Sequence, residues 1–141
     1  MIPRFRAWYT PFKGKTIGQE MKYGQAGRLI THAEMAPDKY VLMQSTGMKD
    51  KNGVEIFEGD VALITHKSTN YADTYWHSYV EVFRAKNGAY RIRGEHIYET
   101  ELYSNRKQLT VAGNIYNSPE LLKRDRFMTT TENPELLEDS E

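Results

Sequence analysis

Cysteine is absent from the 141-residue chain, which excludes disulfides, thiolate metal centres and thiol nucleophiles and is compatible with a reducing, cytoplasmic setting. Long hydrophobic runs are absent too. No stretch approaches the roughly 18 residues that a membrane span requires, and Met1-Ile2-Pro3-Arg4-Phe5 lacks the apolar core of a signal peptide, so no membrane partner is expected. The chain has no Gly-rich phosphate loop, no Gly-x-Ser-x-Gly elbow and no kinase motif set. Its four histidines, His32, His66, His77 and His96, never fall into a His-x-His or His-x-x-x-His pair. Asp50-Lys51-Asn52-Gly53 starts like a calcium loop, but the fifth, sixth and twelfth positions are Val54, Glu55 and Val61, so its ligand set fails. The expectation is a non-enzymatic protein without a cofactor or a metal.

What is present is turn chemistry. Lys51-Asn52-Gly53 and Glu58-Gly59-Asp60 each set Gly beside Asn or Asp, where a positive φ costs little, and the mostly apolar Val54 to Phe57 lies between them. Gly53, Gly59 and Asp60 are therefore read as structural turn residues, with Phe57 and Val61 buried on either side of the second turn. Glu55, Glu58 and Asp60 flank an exposed turn and read as solvated carboxylates. Aromatics make up 12% of the chain, ten of them Tyr, which suits a β scaffold. Strand candidates are Arg4 to Tyr9, with Phe5 on one face and Arg4, Arg6 and Trp8 on the other, then Tyr40 to Gln44, Val54 to Phe57 and Val61 to Thr65. Trp76 to Lys86, Ala89 to Gly94 and Leu109 to Ile115 complete the set, with Gly113 as a bulge or close approach. Thr16 to Met35 reads either as a hairpin around Gly24-Gln25-Ala26-Gly27 or as a short helix. His66 to Thr74 reads as a loop.

Asn87-Gly88 is a strong hairpin signal. A two-residue loop there pairs Ala85 with Tyr90, Arg84 with Arg91 and Phe83 with Ile92. That register puts Phe83, Ala85, Tyr90 and Ile92 on a core face and Arg84, Lys86, Arg91 and Arg93 together on the opposite one. The second group is the candidate polyanion-binding face, with Glu81 or Glu95 placed to offset its charge.

Ser118-Pro119-Glu120-Leu121-Leu122 offers a cap, Pro at the first helical position and an acid in the first turn, so a short helix should run from Pro119 to about Arg126. Asn133-Pro134-Glu135-Leu136-Leu137 echoes that start. Five of the 19 acidic residues lie in Phe127 to Glu141, which has no Lys or Arg, so the rest of the chain sets 14 acidic against 19 basic residues and carries a charge of +5. The expected plan is one mainly β, β-rich α+β domain over 1–126, with an N-terminal part to about residue 39 and a β part from about 40, followed by an acidic tail over 127–141.

Three blocks carry a family resemblance: Ile2-Pro3-Arg4-Phe5-Arg6-Ala7-Trp8, the run from Gln44 through Lys51-Asn52-Gly53 and Glu58-Gly59-Asp60 to Val61, and Val111-Ala112-Gly113-Asn114-Ile115-Tyr116-Asn117-Ser118-Pro119-Glu120-Leu121-Leu122. In order and spacing they resemble the YopX-like proteins of phages and prophages. The resemblance implies an SH3-like β-barrel portion with a small additional subdomain, self-association as a homo-oligomer, and no established activity or catalytic set. The expected role is a phage or prophage accessory protein in the host cytoplasm that binds a host or phage protein or its own copies. The alternative is a nucleic-acid-associated module that binds weakly through the basic hairpin face.

Overall fold

The computed structural model describes residues 4–24 and 26–132, so Ile2, Pro3 and the Asn133 to Leu137 echo lie outside the described residues. The architecture is mostly β, with a curled half-barrel sheet and a short helix, which is the β-rich α+β class expected. Two compact units divide the chain, Met1–Gly47 and Met48–Glu141.

In the first unit, β1 (Phe5–Tyr9) lies between β2 (Glu20–Gly24) and β3 (Tyr40–Lys49), antiparallel to both, so that Trp8 faces Met21 on one side and Val41 on the other. The alternation in β1 separates the faces as expected, yet Arg6 is buried along with Ala7, because both sides of the strand are covered. Of the two readings for Thr16 to Met35, the hairpin around Gly24 does not form. β2 ends at Gly24, and α1 (Ala26–Met35) follows. Leu29, Ile30 and Ala33 fall on one side of this helix, and Leu29 is its buried contact. His32 O accepts from Ala36 N–H, and Pro37 then disfavours helical geometry at the residue before it.

The second unit takes the last residues of β3, Met48 and Lys49, and continues with β4 (Glu55–Phe57). Its main sheet contains β5 (Asp60–Lys67), β6 (Tyr75–Arg84), β7 (Tyr90–Gly94), β8 (Ile97–Glu101), β9 (Leu109–Asn114) and β10 (Phe127–Thr129). The strand order is β8-β7-β6-β5-β9, and β10 pairs antiparallel with the start of β6. A one-turn helix, α2 (Leu102–Asn105), follows β8 and buries Leu102.

The sheet is covered on both sides. Ile56, Ala62, Ile64, Val80, Val82, Ile92, Leu102 and Leu109 form one core, while Val61, Leu63, Tyr79 and Leu121 form a second. Each fully buried Ile, Leu or Val contributes roughly 1.5–3 kcal/mol of transfer free energy. Burial on both sides explains why Val61 to Ile64 within β5 is an unbroken apolar run.

Three expectations are corrected. The Pro119 helix is a 3-10 turn over Pro119–Lys123, ended by extended backbone at Arg124, and Ser118 does not cap it. The Ser118 hydroxyl donates to Asn117 Oδ1 instead. Phe127–Thr129 is a strand, since Phe127, Met128 and Thr129 face His77, Trp76 and Tyr75, so the acidic composition that reads as a tail masks a pairing segment. The basic hairpin also takes a different register.

Candidate functional site

The hairpin between β6 and β7 is closed by three residues, Lys86-Asn87-Gly88, rather than two. Ala85 N–H donates to Ala89 O, and Gly88 N–H donates back to Ala85 O, with Gly88 at φ 89°. This is a type I turn followed by a left-handed residue, the common three-residue closure. One added residue shifts the pairing to Glu81↔Arg93, Val82↔Ile92, Phe83↔Arg91 and Arg84↔Tyr90. The β7 assignments hold, with Tyr90 and Ile92 on the inner face and Arg91 and Arg93 on the outer. Those of β6 invert: Val82 is in the core, while Phe83 shares the outer face with the two arginines.

The four basic residues therefore do not share a face. Arg84 lies on the side of Val82 and Tyr90, and Lys86 belongs to the loop. Arg91 Nε donates to Glu99 Oε2 at 2.7 Å, and Arg93 Nε donates to Glu81 Oε1 at 3.3 Å while its guanidinium lies 4.0 Å from the Phe83 ring centre. The expected compensation by Glu81 is present at Arg93, and Glu99 supplies it at Arg91. On the inner side, burial pushes the Tyr90 phenol above its ordinary value.

Beside the Glu81–Arg93 pair, the outer face opens into a groove of about 540 Å³ lined by Gly94, Glu95, Pro119, Leu122 and Lys123. Gly94 itself lies tight against β6, where a β-carbon would stand 2.6 Å from the Tyr79 carbonyl oxygen. The groove has an apolar wall from Pro119 and Leu122 and a rim that mixes Glu81 and Glu95 with Arg93 and Lys123.

The turn residues perform structural work. Gly59 has φ 87°, its N–H donates to Val82 O and its carbonyl accepts from Ile115 N–H. Phe57 and Val61 are buried on either side as expected, but Asp60 is not the solvated carboxylate expected: it is buried, and its Oδ2 accepts from Phe57 N–H to close the turn. Gly53, at φ 82°, donates to Asp50 O. Asp50 accepts from Asn52 and Val54 N–H through Oδ1 and from Val111 N–H through Oδ2, so one carboxylate ties the first turn to β9. Asn114 Oδ1 accepts from Tyr116 and Asn117 N–H. Gly113 is the close approach expected, since a β-carbon there would meet Ser118 Oγ at 2.7 Å, and it pairs with Val61 next to a register shift that leaves Ala112 as the extra residue.

The sequence gives little sign of the network at His77. This residue is fully buried, its Nδ1 is 2.9 Å from Thr65 Oγ1, its Nε2 is 2.7 Å from Thr129 Oγ1, and its ring stacks on Phe127 at 5.0 Å. Burial, reinforced by the charge of Lys51, lowers its pKa from the ordinary 6.5. The only hint in the sequence is parity: Thr65 and His77 sit at facing positions of β5 and β6.

Comparison with known proteins places these blocks in a lineage. The chain is similar to protein EF1440 from Enterococcus faecalis, whose crystal structure aligns over 86% of this chain and 99% of that one at 29% identity and a TM-score of 0.49. No curated protein matches it. The family model described as YopX protein matches residues 4–123, and on that match the chain belongs to the YopX family.

Proposed function

We propose that the protein is a non-enzymatic accessory module of a phage or prophage that acts by binding protein, its own copies included. The observation that carries this reading is the surface of the first unit, where Phe12, Ile17, Tyr23, Met35 and Val41 are all exposed, Met35 to 79%. Five large apolar side chains left exposed on a unit that buries only Ala7, Leu29 and Met43 among its described residues are characteristic of contact surfaces. A second observation supports it. The polar residues of the family blocks, Asp50, Asp60 and Asn114, accept from backbone N–H groups, so they build the scaffold.

The nucleic-acid reading loses support from the hairpin register. Arg91 and Arg93 each face a carboxylate, and Arg84 lies on the other side of the strand. Surface pairs of this kind neutralise the field that would attract phosphates. Light scattering over the micromolar range, alongside pull-down from lysogenic cells with and without nuclease, tests the proposal. A mass above that of the monomer and a nuclease-resistant complex are expected. A monomer at all concentrations, together with capture lost on nuclease treatment, would reverse the ranking.

A further inference from the structure

The loop joining β1 to β2 is a built surface. Thr10 N–H donates to Lys39 O, Lys15 N–H to Phe12 O and Gln19 N–H to Thr16 O, while Gln19 Nε2 reaches Thr10 Oγ1 at 3.3 Å. Gly14 and Gly18 take φ of 76° and 77°, and Gly18 lies so close to Pro11 that a β-carbon would stand 2.9 Å from its ring. These contacts close the loop on itself, yet Phe12 and Ile17 remain 57% and 69% exposed. Between them lies an open groove of about 660 Å³, completed by Pro11, Lys13, Lys15 and Lys39. Lys22 on the adjoining strand pairs with Glu20 at 3.1 Å, whereas Lys13, Lys15 and Lys39 form no ion pair among the described residues.

The groove thus has two apolar contacts and three lysines, and its complement is an acidic segment with neighbouring apolar side chains. The chain itself contains one beyond the described residues. Leu136-Leu137 stands among Glu135, Glu138, Asp139 and Glu141, with no cation between Phe127 and the last residue. We propose that the Phe12/Ile17 groove is the docking site for the acidic C-terminal segment of a second copy, with Leu136 and Leu137 against the two apolar side chains and the flanking carboxylates against the three lysines.

Exposed ion pairs contribute little singly, so the apolar contact supplies affinity while the charges supply orientation and salt dependence. Two copies exchanging segments reciprocally make the contact twice and close a two-fold dimer. This inference rests on the self-association reading and gives it a surface.

The experiment uses full-length chains in sedimentation velocity. Wild type is expected to dimerise, and raising the salt from low to near-molar should weaken the dimer. Lys13→Glu with Lys15→Glu, and separately Leu136→Ser with Leu137→Ser, should each weaken dimerisation at least tenfold. An equimolar mixture of these two variants, each intact where the other is altered, should recover a heterodimer through one remaining contact. Combining Lys13→Glu and Lys15→Glu with Glu135→Lys and Glu138→Lys should restore the homodimer. If both variants dimerise like wild type, association uses another surface; the groove assignment then falls and the self-association reading stands. If wild type stays monomeric throughout, both fall. Recovery in neither the mixture nor the charge swap overturns docking between copies. Co-sedimentation of wild type with vesicles of equal phosphatidylglycerol and phosphatidylcholine, abolished by the lysine reversals while the dimer is unaffected, would assign the groove to a lipid surface and overturn the proposal.

Discussion

The two units spend their apolar residues differently. In Met48–Glu141 a single sheet is covered on both faces, and Ile56, Ile64, Val80, Val82, Ile92, Leu102 and Leu109 are almost wholly shielded from water. Among the described residues, Met1–Gly47 buries three apolar side chains, Ala7, Leu29 and Met43, against five large ones in solvent, Phe12, Ile17, Tyr23, Met35 and Val41, whereas Met48–Glu141 buries thirteen against five, Val54, Tyr71, Tyr98, Tyr103 and Met128. The contrast separates scaffold from surface. A unit with two cores keeps most of its large apolar side chains from water, whereas one with so few buried leaves the larger share of them in solvent.

Substitution can break that contrast. Ile92→Ala should cost about 2–5 kcal/mol in chemical denaturation, since Ile92 is fully buried, whereas Met35→Gln in the first unit should change stability by less than about 0.5 kcal/mol. Comparable losses from the two would remove the distinction. Asp50→Ala strips three backbone N–H groups of their acceptor and should cost about 2–4 kcal/mol. Amide exchange should quicken at Asn52, Val54 and Val111 in that variant, and unchanged protection there would show that water replaces the carboxylate at little cost. Gly59→Val forces a β-branched residue to φ 87° and should lower stability by roughly 1–3 kcal/mol; an unchanged melting temperature would contradict the strain.

Smaller effects sharpen the picture within the second unit. The His77 pKa is depressed in the folded state, so on acidification the unfolded chain takes up the proton first. The stability this residue contributes is complete above about pH 6.5, falls as pH drops from there to the folded-state pKa, and changes no further below it. Replacing His77 by Gln should flatten the denaturation midpoint over that window, and a slope equal to wild type would assign the pH dependence elsewhere. The smallest change is Arg93→Gln, which removes an exposed ion pair with Glu81 and should cost less than about 1 kcal/mol. A larger loss would show that the packing of Arg93 on Phe83 dominates the pair.

What the sequence made legible was local. Gly53 and Gly59 could be recognised because a positive φ is a property of one residue and its neighbours, and β5 because its apolar run is continuous. Faces were harder. The Asn87-Gly88 signal located the hairpin, but a loop longer by one residue inverts every side chain on one strand, so Arg84 and Phe83 exchange sides while Ile92 does not. Ile97–Glu101 escaped because it is short and largely polar, and Phe127–Thr129 because it is three residues long and pairs with a strand some fifty residues away. The groove beside Arg93 joins residues of β6, β7 and the Pro119 turn, and no spacing rule connects them.

The threonine-histidine chain offers a spectroscopic handle. Thr129 Oγ1 donates to Thr131 O at 2.5 Å, which leaves it to accept from His77 Nε2–H, so Nδ1 must accept from the Thr65 hydroxyl. The buried imidazole is thereby held as a single tautomer, with its proton on the nitrogen that faces β10. That proton should give a resolved, slowly exchanging nitrogen-coupled resonance while β10 is docked, and lose it when the strand lifts, so one imidazole N–H reports the seating of β10.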